Sequence, residues 1–250
     1  WRPSSGDLWL DAYVTDFLSR ARLTGHAVPD IAFANAVDNL RNKVNYYPDF
    51  DAGGQDLSYA LMVLAREGQA SMGDLRYYAD VKAQDFATPL ALGQLGAALA
   101  MYGDQPRADA MFVAGFARLT LPSTNSDRRV WRADYGSFRR DGAGLVALAA
   151  AAGSEAIDVA AYVDDIVTPV GESSTQEAVW SLLAAHALID NPATQTLTLD
   201  GEPVSGPFVQ VLNGDQGLSR TIENIGTRDE VLTLTRFGVP DGATEAFGNG

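Results

Sequence analysis

Histidines, carboxylates, arginines and glycines are the residues of this chain whose chemistry and spacing first need weighing. There are two histidines, His26 and His186. Neither has another histidine or a carboxylate at a spacing that would turn two ligands to one face, so no metal is expected. His26 falls in a turn, Gly25 to Pro29, and His186 in an apolar segment; both are read as structural, His186 as a core imidazole with a hydrogen-bonded ring. Asp164 and Asp165 resemble the acidic pairs with which toroidal terpene-processing enzymes hold a diphosphate. On a helix, though, adjacent residues diverge by about 100°, which suits a solvated outer face. Paired carboxylates across a cleft would suit glycoside chemistry, yet among 32 Asp and Glu nothing singles out a pair. Gly53-Gly54 and Gly142 to Gly144 are too sparse to cradle phosphate and read as turns or close helix contacts. Arg128-Arg129 and Arg139-Arg140 bracket Trp131 and Tyr135. They form either a solvated loop or a patch that docks a neighbouring domain. With no cysteine in the chain, a disulfide, a thiolate-held metal and a thiol nucleophile are excluded within these residues. No catalytic, cofactor-binding or metal-binding residue is assigned.

The elements that carry these residues come in two alternating kinds. Leu10, Tyr13, Val14, Phe17, Leu18 and Ala21 recur at helical spacing, and Leu57 to Leu64, Leu90 to Tyr102, Gly142 to Ala152 and Ala178 to Ile189 hold few or no charges. Helices without a polar face belong inside. Between them lie amphipathic segments: Phe33, Ala36, Val37 and Leu40 beside Asp38 and Arg41; a short one at Leu75, Tyr78 and Ala79; Ala108, Met111, Phe112 and Leu119 beside Arg107, Asp109 and Arg118; and Val159, Tyr162, Val163 and Ile166 beside Asp158, Asp164 and Asp165. Such helices belong outside. The alternation predicts helical hairpins in an inner and an outer layer, a partial α/α toroid or an α-solenoid. Leu95-Gly96, Ala98, Tyr102-Gly103, Ala108 and Phe112 look like one tetratricopeptide-type pair, but no 34-residue period recurs, and the small residues are read as packing contacts. Leu121 to Arg140 reads as a surface excursion.

From about Gln195 the period becomes alternating. Strands are expected at Thr196 to Leu199, Phe208 to Leu212, Leu218 to Glu223 and Glu230 to Phe237, with hairpin signals at Asp200-Gly201 and Asn213-Gly214. So few strands make a sheet with little core of its own. The expected organisation is a helical domain over 1–192 and a β segment over 193–250, mainly α overall.

The net charge of −14, from 32 acidic and 18 basic residues, repels phosphate backbones and anionic lipid. Nucleic acid and membrane are therefore not expected partners. No apolar run reaches the roughly 20 residues of a bilayer span, and the first residues lack signal-peptide anatomy, so a soluble piece is expected.

Three stretches resemble the thioester domain of the alpha-2-macroglobulin and complement family. Trp9-Leu10-Asp11-Ala12-Tyr13-Val14 is similar to that domain's Trp-Leu-x-Ala-Tyr-Val helix. Ser174-Thr175-Gln176, running on to Leu182-Leu183-Ala184, is similar to the Ser-Thr-Gln segment that opens its closing helix. Asn224-Ile225-Gly226 through Phe237-Gly238-Val239-Pro240 is similar to the strands and Gly-x-Pro tail of bacterial members. The resemblance implies a thioester-type toroid domain over 1–192 and strands of a split CUB-like domain over 193–250. It also implies a periplasmic, host-defence protease inhibitor and not an enzyme, one that traps proteases by conformational change and contacts neighbouring macroglobulin domains. The family's Cys-x-Glu-Gln thioester would lie upstream of Trp9, making the chain a piece of a larger protein whose anchor could be a lipoprotein. Some relatives place a histidine where Val44 to Asp51 stands here; its absence implies acyl transfer to amines, or a parent without a thioester. A toroidal lyase, hydrolase or terpene-type enzyme and a helical-repeat scaffold stay open as alternatives.

Overall fold

A helix leaves its first four backbone N–H groups without partners, and short polar side chains at the starts of these helices answer that need. Asp7 accepts from the Leu10 N–H at 3.0 Å, Thr88 from Ala91 at 3.3 Å with Pro89 following it, and Ser137 from Arg140 at 3.1 Å. Ser174 and Glu177 cap each other's backbone, at 3.3 and 2.8 Å. In a computed structural model, which describes residues 6–120, 132, 134–157, 159–162, 173–190, 197–204 and 220–226, these starts open a series of helices. They are α1 (Leu8–Leu23), α2 (Asp30–Asn45), α3 (Gln55–Arg66), α4 (Met72–Asp80), α5 (Pro89–Met101), α6 (Gln105–Thr120), α7 (Phe138–Ala151) and α8 (Thr175–Asp190), with a 3-10 turn at Val159–Tyr162. Among the described residues no helix is long and apolar enough to cross a membrane.

The chain divides into two compact units, Trp1–Ala193 and Thr194–Gly250. In the first, α1 packs on α3, α3 on α5, α5 on α7 and α7 on α8, forming an inner row; α2, α4 and α6 lie against that row as the outer layer. This is the partial α/α toroid. The segments entering α3 and α5 run parallel, joined by a bridge between Gly53 and Phe86 and an Ala87 N–H to Gly53 carbonyl bond of 2.9 Å. Inner helices α3 and α5 are buried almost all round. Glycine brings α5 against α7: a Cβ on Gly144 would meet Leu90 at 2.5 Å, and one on Gly93 would meet Leu145 at 2.7 Å. The α5–α6 hairpin closes in the same way, with Gly96 against the Ala108 carbonyl, as the packing reading of those small residues requires. Arg118, near the end of α6, donates to the carbonyls of Ala83, Gln84 and Phe86 and fastens the α4–α5 connection.

Three expectations change. The amphipathic segment expected to begin at Val159 is, in its described part, one 3-10 turn whose Tyr162 packs on Phe116 at 4.4 Å; Asp158, Asp164 and Asp165 lie outside the described residues. The excursion expected to last until Arg140 ends sooner, because Ser137 caps a helix that starts at Phe138. The apolar stripe of α1, expected inside, lies partly in solvent, with Tyr13 and Phe17 exposed and Leu10, Val14, Leu18 and Ala21 half-buried.

In the second unit three short strands, β1 (Leu197–Leu199), β2 (Glu202–Pro203) and β3 (Ile222–Asn224), pair antiparallel in the order β2-β1-β3. Asp200 and Gly201 both take left-handed backbone, φ 52° and 85°, as a two-residue hairpin turn requires. Asp200 also accepts from the Thr221 N–H at 2.9 Å and pairs with Arg220, so the turn residue holds the third strand too. The expected strands at 208–212 and 230–237 lie outside the described residues.

Candidate functional site

Helix α1 buries a face that mixes polar residues with Leu8, Trp9 and Ala12. Asp11, Thr15, Asp16 and Ser19 are buried, whereas Tyr13 and Phe17 are 44% and 66% exposed and Leu10, Val14, Leu18 and Ala21 are half-buried. The reason is the ion pairing waiting beneath. Asp16 takes Arg66, Arg20 at 3.0 Å and the Tyr59 hydroxyl at 2.8 Å. Asp11 takes Lys43 and the Asn39 amide at 3.2 Å, and the Ser19 hydroxyl donates to Glu67 at 2.5 Å. Burial pushes the Asp16 carboxyl up, but Arg66 and Arg20 outweigh it and hold it below the usual aspartate range. Tyr59 is pushed far up by burial and by the Asp16 charge. These carboxylates have their lone pairs filled by cations and hydroxyls. They fix α1 on α2 and α3 and are not poised for proton transfer.

The outward stripe of α1 runs into an open groove of about 570 Å³ lined by Phe17, Leu18, Ala21, Val28 and Pro29, with Arg20, Thr24 and His26 at its edge. At the other end of the inner row, α8 exposes Val179 and Leu182 and also Ala178 and Ala185. His186 lies on that exposed side, which corrects its reading as a core imidazole: α8 turns Trp180 and Ala184, not His186, toward the body.

The approach to α7 holds a second ion cluster. Arg140 is 2% exposed and bonds Asp134, the Asp134 carbonyl and Asp141; Arg132 bridges Asp134 at 3.2 Å and Asp141 at 2.8 Å. Burial lifts the Asp141 carboxyl above its ordinary range against the pull of Arg140 and Arg132. Asp134, also resisted by burial, is held below it by the same two arginines. So Arg140 belongs neither to a solvated loop nor to a docking patch, because two carboxylates take it inside; Arg128, Arg129 and Trp131 lie outside the described residues. Gly136 is glycine because the Arg140 guanidinium occupies the place of a Cβ.

This cluster presents Tyr135. Its backbone is left-handed, φ 53°, and its ring is 72% exposed, yet it meets Trp9 edge-on at 5.3 Å. Trp9 in turn stacks on Tyr13 at 5.4 Å and leans on Tyr59 at 6.0 Å. A non-glycine left-handed residue costs roughly 1–2 kcal/mol, a cost that the aromatic contact, worth about 0.5–1.5 kcal/mol beyond its area, helps to offset.

Among the described residues no group of three or more His, Asp or Glu side chains could hold a metal. What the arrangement offers is an apolar stripe on a stiff, ion-tied platform. Sequence reasoning missed Asp11, Asp16, Lys43, Arg66 and Glu67. The signal was present: Asp11, Thr15, Asp16 and Ser19 share one helix face opposite the apolar one, and only the choice of which face turns inward was wrong.

No family model matches the chain. The chain is 32% identical over 254 residues to the alpha-2-macroglobulin of Escherichia coli K12, which covers 95% of this chain but 15% of the relative's length. The crystal structure of Salmonella alpha-2-macroglobulin reacted with methylamine is similar at a TM-score of 0.63 and 25% identity, covering 89% of this chain and 14% of that one. Escherichia coli alpha-2-macroglobulin activated by porcine elastase is similar at a TM-score of 0.61 and 30% identity, covering 90% of this chain and 21% of that one.

Proposed function

Since the chain belongs to the bacterial alpha-2-macroglobulin family, we propose that it is the helical platform of a protease trap, a binding protein and not an enzyme. The observation that carries this is the 32% identity over 95% of the chain to a macroglobulin, of which the chain spans about a seventh. The parent holds a protease by changing shape after being cut. In this reading residues 1–192 are part of the thioester-type toroid, residues 193–250 are strands of a split CUB-like domain, and the thioester lies upstream of Trp9. Proteases and the neighbouring macroglobulin domains are the partners, in the periplasm.

The physics supports the assignment. A thioester is an activated acyl group that survives in water only against apolar side chains, so it needs a stiff carrier with an apolar face. The ion-tied α1–α3 junction and the outward stripe of Tyr13 and Phe17 supply both. That the Escherichia coli relative is activated by porcine elastase supports protease partners, and that the Salmonella relative reacted with methylamine supports an amine-directed bond. The stretch Val44 to Asp51, without histidine, suits amines too.

The test uses the whole gene product. Incubated with trypsin, it should leave the protease active on small peptides but shielded from a protein-sized inhibitor, and a denaturing gel should show a covalent adduct that prior methylamine removes. A parent that gives trypsin no shielding sinks the trapping reading. A parent that shields without forming an adduct keeps the trap and removes the thioester. Cell fractionation checks the compartment: activity in the cytosolic fraction would overturn the periplasmic assignment.

A further inference from the structure

Trp9 is nearly enclosed at the start of α1, and Tyr135, the ring lying edge-on to it, is itself mostly in solvent. The two ends of the turn that carries Tyr135 differ sharply. Its root is fixed: Arg140 is locked between Asp134 and Asp141, Ser137 caps α7, and Ser137 also donates to Glu177 of α8 at 2.5 Å. Its tip, where Tyr135 takes left-handed backbone, is held by that ring contact and by a long 3.4 Å bond from the Gly136 N–H to Asp134 Oδ1. A turn with a fixed root and a lightly held tip has the anatomy of a two-position element.

We propose that residues Asp134 to Ser137 form a strap whose Tyr135 tip opens and closes over Trp9, switching α1 between two surfaces. Closed, the strap withdraws Trp9 and links the entrance of α7 to α1. Open, it adds Trp9 to Tyr13 and Phe17 as one continuous aromatic stripe. The strap is a property of this chain and does not depend on a thioester or on the trapping reading.

The test follows Trp9 directly. The chain has four tryptophans, so replacing Trp1, Trp131 and Trp180 with phenylalanine leaves Trp9 as the sole reporter. In that background Tyr135→Gly, which accepts the left-handed backbone but has no ring, should raise acrylamide quenching of Trp9 about twofold or more with unchanged helical circular dichroism. Tyr135→Phe, which keeps the ring, should quench as the parent does. Trp9 equally shielded in Tyr135→Gly overturns the strap, as does an equal rise in Tyr135→Phe, which would make the hydroxyl and not the ring the holder. In the unsubstituted chain the Trp9 indole N–H resonance should move with temperature toward its position in Tyr135→Gly, as a population-weighted average of the closed and open positions does. A resonance that does not move toward that position at any temperature overturns the proposal.

Discussion

The inner helices are joined in two different ways along their row. Between α1 and α3 the junction is ionic: Asp16 reaches Arg66 and Tyr59, and Ser19 reaches Glu67. Between α5 and α7 it is apolar, with Gly93 and Gly144 letting Leu145 and Leu90 sink against the opposite backbone. Apolar packing is non-directional and tolerates small slides, whereas an ion pair with filled lone pairs has one geometry. The ionic junction therefore fixes the orientation of α1 about its own axis, even though that orientation leaves its apolar stripe partly in water.

Substitutions can break this contrast, beginning with the largest effect. Arg140→Met leaves Asp134 and Asp141 with Arg132 as their remaining cation, and urea unfolding should register a loss of about 3 kcal/mol, the lower end of the cost of breaking a buried pair. A loss under 1 kcal/mol would show the cluster to be solvated. At the ionic junction, Asp16→Ala leaves Arg66 and Tyr59 without their acceptor, and the same measurement should give about 2 kcal/mol, since Arg20 is partly in solvent and adds little. At the apolar junction Gly144→Ala forces Leu90 aside; an overpacking cost of about 1–3 kcal/mol, less the roughly 1 kcal/mol by which alanine favours a helix, leaves a net loss nearer 1. Were Gly144→Ala stabilising, the junction would be looser than described.

The two ion clusters should also part company with pH. The folded Asp16 pKa is depressed, so its contribution is present above the ordinary aspartate value of about 3.9 and is lost as pH falls through the folded value. The folded Asp141 pKa is raised, so its contribution is complete below about 3.9 and is lost as pH rises through the folded value. Urea midpoints collected from acid to neutral should show Asp16→Asn flattening the acid limb and Asp141→Asn steepening it. Identical profiles for the two variants would mean that the environments are not opposed. The smallest effect is at the stripe itself: Phe17→Lys should change unfolding by no more than about 0.5 kcal/mol, while weakening the concentration-dependent self-association that exposed apolar helix faces produce in light scattering. A chain that is monomeric at every concentration before substitution would count against that role for the stripe.

Much of the fold was legible because the helices differ in kind. The uncharged runs at Leu57 to Leu64 and Leu90 to Tyr102 have no polar face to turn outward, so their place inside follows from composition alone. The Asp200-Gly201 turn was legible because few residues tolerate two successive positive φ angles. Helix α1 was misread for a physical reason. It has an apolar face and a polar face, and hydropathy says that the apolar one goes in; the partners that reverse this, Lys43, Arg66 and Glu67, lie about 30 to 50 residues away in sequence. Arg140 was misread likewise, because its acceptor Asp141 is adjacent in sequence, while burial of the pair depends on Arg132, Asp134 and a glycine that leaves space for a guanidinium. Pairings made by topology are invisible to periodicity.

Arg118 grips the α4–α5 connection through three carbonyl oxygens and no side chain of Ala83 or Gln84. A carbonyl is the same whatever residue bears it. Mutational drift at positions 83 and 84 thus leaves the grip intact, and a lineage could rewrite that bend's surface, altering what it meets, without renegotiating how the bend is held. Losing Arg118 alone would release all three anchor points at once.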